Sequence, residues 1–464
     1  MIRLDGSRST HAETRANSSL NSGVAVFRPP LTAPSFGANC DHLQQVLVNK
    51  ESSMAHTPTL GIDIFDPVHL DEPNELYRTL REHSPVHRVA GTDFFLVSTW
   101  DLVTEAANRT EVFSSNLTGV LVQQPAGPPA TFDMDGGGQA VHVLATADDP
   151  AHLHHRKLVL PALGRRIRAL APAVDSLVDT LWDEGMRDGQ IDWASAMADR
   201  LPLAMVAHLI GLPESDVPQL LTWAYDSTEL LGGVVAADRL GPLVTSAAEL
   251  AGYLRAELVR ARSDPRDDLL GVLAHACDAG ELSEDVATLV LVQLVAAGGE
   301  STAGLIGGAA RLLAIRPGLQ TRLRQQPALV DAFLDEALRL ESPFRGHHRH
   351  VVADTTLGGA DLPAGSHLLL LWGAANRDPA VFERPDEVVL DRPHIRSHLA
   401  FGKGVHFCVG SALARMEALA ATTALLARTG RFALAADSEP RWVPSLFVRR
   451  HSALPLRLEV TPRD

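Results

Sequence analysis

The sequence predicts a mainly α fold with a smaller β portion, and three stretches carry that expectation. From Asp148 to about residue 345 apolar residues recur at helical spacing, broken only at Gly189, Gly211-Leu212-Pro213, Asp264-Pro265 and Arg316-Pro317. Such breaks end helices because glycine frees the backbone and proline lacks the amide donor. His350 to Leu371 reads as β-rich, with turns at Gly358-Gly359 and Pro363-Ala364-Gly365. Ala412 to Thr429, dense in Ala and Leu, is a further strong helix.

The remaining elements follow in chain order. Residues 1–53 are rich in Ser, Asn, Thr and Pro with weak periodicity, which predicts a disordered extension ahead of one domain at 54–464. Met54 would serve as an alternative translation start. Leu76 to Glu82 is expected to be helical and Phe94 to Val97 a short strand. Leu117 to Gly138, with its Gly, Pro and Gln, is expected to be a long loop, and loops of that length are usually functional. The apolar run Val286–Gly299 stops at Glu300, short of the roughly 18–20 residues that span a bilayer, and suits a buried core helix.

Bulk properties narrow the classes. A chain of 464 residues, 45% hydrophobic, can bury a large core. The formal charge of −15 argues against nucleic acid as partner, because phosphate binding needs a basic footprint. Three scattered cysteines, Cys40, Cys277 and Cys408, support neither a disulfide framework nor a Cys-rich metal cluster. With no apolar signal region at the N-terminus and no integral membrane segment, the expected location is cytoplasmic.

Four local patterns carry chemistry. Phe401-Gly402-Lys403-Gly404-Val405-His406-Phe407-Cys408-Val409-Gly410 runs into the helix that begins near Ser411. Cys408 then sits where helix amides point outward and favour a thiolate, while the glycines permit close approach of a flat cofactor. The blander reading is a buried structural cysteine in a glycine-rich turn. Glu336 and Arg339, at i and i+3, share a helix face and can pair, which taken alone is ordinarily a solvated ion pair. Ala297-Gly298-Gly299-Glu300-Ser301-Thr302 sets small residues, an acid and two hydroxyls inside an apolar helix. A tight helix crossing explains the small residues, but a buried acid needs partners. His152 and Arg156, at i and i+4, can grip a carboxylate; the clustered histidines have a rival reading as metal ligands.

The ten-residue cysteine run resembles the haem-binding loop of the cytochrome P450 family, Phe-Gly-x-Gly-x-His-x-Cys-x-Gly. Glu336-Ala337-Leu338-Arg339, the 297–302 segment, the His152–Arg156 segment and Arg349 resemble further family motifs, in the right order over about 60–464. The resemblance implies a cytochrome P450 fold and heme b (iron protoporphyrin IX) with Cys408 as proximal ligand. It implies that Phe401 packs near the sulfur, Gly402 and Gly410 shape the loop, and His406, His152, Arg156 and Arg349 hold the haem propionates. Arg392 would complete a structural network with Glu336 and Arg339. A kinked helix would cross the distal haem face, its small residues leaving room for O₂. Glu300 and a hydroxyl would relay protons. The family usually has Thr after the acid; here Ser301 takes that place, with Thr302 as substitute, and less tightly coupled proton delivery is expected.

The implied reaction is insertion of one atom of O₂ into an apolar small organic substrate. Electrons would come from a separate ferredoxin and ferredoxin reductase, which Lys403 and Arg415 could face. Phe132, Leu294, Ala297, Phe344 and Phe447 are the expected substrate pocket. The alternatives are a peroxygenase of the same fold, a non-catalytic haem protein that binds a ligand or senses a gas, and a zinc hydrolase on the His clusters.

Overall fold

The computed structural model describes residues 61–460 apart from 265 and 437; the expectations for the 1–53 extension, for Met54 and for a boundary at 54 lie outside the described residues. What is described is mainly α with a smaller β portion.

One helix, Glu284–Ala314, organises the rest. Ser283 caps it by accepting from the Val286 amide at 3.2 Å, and Glu284 and Asp285 in its first turn suit the positive helix end. It packs against helices Arg200–Ile210, Val217–Glu229, Leu240–Ser263, Val330–Glu341 and Ser411–Ala427. Val290, Leu291, Val295, Leu305, Ile306 and Leu313 are buried in this contact. The helix is long and apolar enough to cross a membrane, but it is packed among the other helices as the core helix of the domain. It outruns the apolar run Val286–Gly299 because Glu300 is ion-paired inside the core rather than turned out to solvent.

Glycines set the closeness of these crossings. A β-carbon on Gly298 would lie 2.5 Å from Val206 Cγ2, and one on Gly304 2.5 Å from the Arg449 carbonyl oxygen. Either contact would force the partner element outward.

A five-stranded sheet orders Val86–Arg88, Phe94–Val97, His367–Leu370, His347–Val351 and Phe113–Ser114. The second and third of these are parallel and the other pairs antiparallel. Side chains alternate along a strand, so His347 and Arg349 share one face and His348 and His350 the other. A second sheet joins Thr429–Leu434, Pro455–Val460 and Gln190–Asp192.

Two expectations are corrected. Leu117–Gly138 is not one long loop, since it contains a hairpin of Gly119–Val122 and Ala130–Asp133 with Val120 opposite Phe132. The helical stretch after Asp148 also contains the strand Gln190–Asp192. Both are short segments whose pairing partners, rather than local pattern, make them strands.

Candidate functional site

The cysteine loop is bent and anchored before the helix Ser411–Ala427 begins. Gly402 and Gly404 take left-handed φ values of +72° and +69°, which a side chain would oppose. The Cys408 amide donates to the Phe401 carbonyl at 2.9 Å and the Gly402 amide to the Leu399 carbonyl at 2.8 Å. The Phe401 ring lies 6.2 Å from that of Phe407 and under the Arg415 guanidinium. Burial pushes the Cys408 thiol above its usual range, against the opposing pull of the Gly410 amide, the Arg156 guanidinium and the Ser411 amide. The helix end alone therefore does not ionise this sulfur, and a bonded cation would be needed to complete the thiolate.

The four expected propionate holders converge from three elements. His152 and Arg156 lie on helix Ala151–Ile167, Arg349 on strand His347–Val351, and His406 in the turn before Cys408. The His152 and His406 rings are 4.0 Å apart, Arg156 Nη1 donates to the Phe407 carbonyl at 3.0 Å, and His406 Nε2 meets Ser115 Oγ at 2.9 Å. Burial first, then Arg349, His152 and Arg156, push His406 down to about 3, so it is a neutral imidazole at pH 7. Burial likewise brings Arg349 down to about 10. Two atoms in this group, His152 Nε2 and Arg349 Nε, are buried and have no hydrogen-bond partner. Buried donors normally find acceptors. Together with the Cys408 sulfur, which lies close enough to Arg156 to feel its charge, they fit a flat cofactor carrying acidic side chains.

Arg349→Ala removes one such donor. Haem transfer to an acceptor apoprotein is expected to become roughly tenfold faster, as for loss of one charge-assisted hydrogen bond; an unchanged transfer rate would count against the propionate role.

On the central helix the acid and the hydroxyls part company. Glu300 is buried and accepts from Arg450 Nε at 2.7 Å and from the Thr228 hydroxyl. Ser301 Oγ donates to the Ala297 carbonyl at 2.9 Å, one turn back. Leu294, Ala297 and Ser301 lie three and four residues apart, on one face, and keep accessible surface although the helix is packed on several sides. Thr302 is buried in the core, about 100° round the helix from Ser301, so it does not substitute for it. Gly298 and Gly299 abut Val206 and Leu203 of the neighbouring helix, while Ala297, on the face of Ser301, is exposed. The helix is continuous from Glu284 to Ala314.

Of the expected pocket residues, Phe344 and Phe447 meet with ring centroids 4.8 Å apart. His347 joins both rings, at 5.1 and 5.5 Å, and its Nδ1 accepts from Trp372 Nε1 at 2.7 Å. Burial pushes His347 and His348 down to about 3, so these walls are neutral. Phe132 lies on the hairpin, opposite Val120, and is 36% exposed. An open cleft of about 840 Å³ is lined by Asp71, Asp192, Glu439, Arg441 and Trp442, none of which is an expected site residue.

Glu336, Arg339 and Arg392 are brought together. Glu336 Oε1 accepts from Arg339 Nε and Arg392 Nε, both at 2.8 Å, and Oε2 accepts from the Val389 amide at 2.7 Å. Burial would raise the Glu336 carboxyl, but Arg339 and Arg392 outweigh it and hold it below the usual range. Sequence reading missed two neighbours. Asn376, fully buried, accepts from Arg339 Nη1 at its backbone carbonyl and from the Leu399 amide at its Oδ1, the latter at 2.6 Å, linking the network to the cysteine loop. Asp335 pairs with Arg415 at 2.5 Å; that arginine is therefore not a free surface charge for a partner. The only signal for Asn376 is a polar run, Asn376-Arg377-Asp378, placed just after the apolar run 368–375.

Among the described residues no group of three or more His, Cys, Asp or Glu is arranged to hold a metal ion, which leaves the zinc hydrolase without a site.

The fold and the cysteine loop define a haem-thiolate oxygenase, and comparison with known proteins agrees. The Cytochrome P450 family profile matches residues 278–441. The chain is 48% identical over 422 residues to Cytochrome P450 144 of Mycobacterium tuberculosis, across 91% of this chain and 95% of that protein. It is 32% identical over 415 residues to 6-deoxyerythronolide B hydroxylase of Saccharopolyspora erythraea, across 88% and 100%. It is 31% identical over 394 residues to Steroid C26-monooxygenase of Mycobacterium tuberculosis, across 84% and 95%. The solved structure of Cytochrome P450 CYP109Q5 from Chondromyces apiculatus superposes with a TM-score of 0.75 at 29% identity, covering 87% of this chain and 99% of that one. The chain belongs to the cytochrome P450 family, and it is an oxidoreductase of the monooxygenase type.

Proposed function

We propose that the protein inserts one atom of O₂ into an apolar small organic substrate, using heme b held through Cys408. The observation that carries this is the bent loop that presents the Cys408 sulfur beside a cluster of buried donors, two of whose atoms lack partners. When bound, the haem supplies the reductive activation of O₂, which thiolate ligation favours. His152, Arg156, Arg349 and His406 hold its propionates. The substrate lies against Leu294, Ala297, Phe344 and Phe447, where the neutral imidazoles of His347 and His348 add hydrogen-bonding capacity without charge. Two relatives name a steroid and 6-deoxyerythronolide B, and a largely uncharged wall suits ligands of that general kind.

Glu300 and Ser301 form the proton relay, with Glu300 exchanging its Arg450 contact for the Ser301 hydroxyl. The acid–hydroxyl pair favours a monooxygenase over a peroxygenase, since peroxide needs no such delivery. Electrons come from a separate ferredoxin and its reductase. Phe407 and Val405, each 48% exposed on the cysteine loop beside Lys403, are the surface for that partner. The cellular location proposed is the cytoplasm.

A ligand-induced spin-state screen on the purified holoprotein, followed by product analysis with ferredoxin, reductase and NADH, tests the substrate and the reaction together. Oxidation with peroxide alone, and none with the electron-transfer proteins, would select the peroxygenase. Glu300→Gln is expected to raise peroxide released per NADH and to lower product formation by about a hundredfold, the scale of lost general acid–base catalysis. Equal coupling in wild type and Glu300→Gln would remove Glu300 from the relay.

A further inference from the structure

Behind Glu300 lies a second buried carboxylate that the relay does not use. Asp199 sits at the start of helix Arg200–Ile210, after the π-turn Ala194–Ala198. Arg450, just ahead of strand His451–Ala453, donates through Nε to Glu300 at 2.7 Å, and its Nη1 is 3.9 Å from Asp199 Oδ1. The same guanidinium stacks on the Tyr225 ring, 3.8 Å from its centroid, and the Tyr225 hydroxyl donates to Asp199 Oδ1 at 2.7 Å. Thr228, one turn beyond Tyr225, donates to the other Glu300 oxygen. Side-chain exposure is 10% for Arg450, 3% for Glu300 and 14% for Asp199.

Two carboxylates thus face one guanidinium where water screens little. A single cation cannot compensate both, and such sites take up a proton or divide the cation. We propose that Asp199 is a positioning residue for Glu300, competing with it for Arg450 and so setting how readily Glu300 turns to Ser301. This rests on the reading of Glu300 as the acid of the proton relay.

The groups facing Asp199 fix the direction of the effect. Burial pushes its carboxyl up to about 6; Arg450 and the Tyr225 hydroxyl oppose this, while Asp192 and Glu300 add to it. Below that value Asp199 is protonated and neutral, and Arg450 stays on Glu300. Above it the ionised Asp199 draws in the 3.9 Å contact and loosens Glu300. Asp192, on the wall of the open cleft, places solvent near this end of the network. The relay should therefore work better above about pH 6 than below it.

The test uses the haem-loaded full chain and three variants. Infrared difference spectra over pH 5 to 8 should show a carboxylic-acid carbonyl band that disappears as pH rises through about 6 in the wild type and is absent from Asp199→Asn. In Tyr225→Phe the midpoint should move upward, because the lost hydroxyl stabilised the ionised form. NADH oxidation through a surrogate ferredoxin and reductase, in H₂O and D₂O, should inflect at the same pH in the wild type. It should be flat and about fivefold lower at pH 7.5 in Asp199→Asn, the low end of coupling between two sites. An inflection retained in Asp199→Asn, or unmoved in Tyr225→Phe, overturns the proposal. A Glu300→Gln protein with wild-type rate and isotope effect overturns the relay itself and, with it, any role for the shared cation, even if the infrared midpoint persists.

Discussion

Cys408→Ala is expected to abolish the thiolate spectrum of the reduced carbon-monoxide complex and to reduce monooxygenation at least about a thousandfold. Burial raises the Cys408 thiol above its usual range. The Gly410 and Ser411 amides and the Arg156 guanidinium do not offset that burial, so the ionised form depends on the bonded iron. Alanine leaves Gly402, Gly404 and the backbone bonds of the loop in place, so the fold persists while the ligand is lost. The other described cysteine, Cys277, cannot take over: it lies on helix Leu269–Asp278, and burial pushes its thiol up as well. Cys408→Ser separates loss of haem from loss of chemistry, because the hydroxyl keeps the size of the side chain but not the electron release of sulfur. A carbon-monoxide spectrum in Cys408→Ala identical to that of the wild type would end the assignment.

What was legible in the sequence divides by how local the cause is. The cysteine loop could be read because its ligand, its glycines and the following helix are contiguous. Glu336 and Arg339 could be read for the same reason, being one helical turn apart. Glu300 was legible only as a buried acid in need of partners. Arg450, 150 residues away, and Thr228, 72 residues away, became visible when the chain folded. The same distance hid Asn376 and turned Arg415 from a candidate docking charge into the partner of Asp335. Small residues are ambiguous where one composition serves two purposes, and the packing of Gly298 and Gly299 on Val206 and Leu203 was not readable from composition. Thr302 was separated from Ser301 by helical phase alone. The hairpin that carries Phe132 was hidden because it depends on cross-strand pairing rather than on local composition.

Glu336→Ala is expected to cost about 3–5 kcal/mol, the range for removing one partner of a buried ion pair. That is a large part of the 5–15 kcal/mol that holds a typical domain together. The carboxylate and the Arg339 guanidinium are both fully buried, at 0% exposure. Without Glu336, the Arg339 and Arg392 charges keep carbonyls, among them those of Asn376, Pro385 and Glu387, and for Arg339 the face of the Phe382 ring. Those carbonyls belong to the segment that leads to Leu399 and the cysteine loop, and Asn376 holds the Leu399 amide directly. The loss should therefore appear first as reduced haem per chain, and then as a lower urea midpoint in the apoprotein. Arg339→Lys should fall short of rescue, since an ammonium cannot reproduce the fork that meets Glu336 through Nε and Nη2 while Nη1 reaches Asn376 and Pro385. Full haem content and an unshifted urea midpoint in Glu336→Ala would mean that the cysteine loop holds its shape without this network, and that the buried charges serve something other than the ligand.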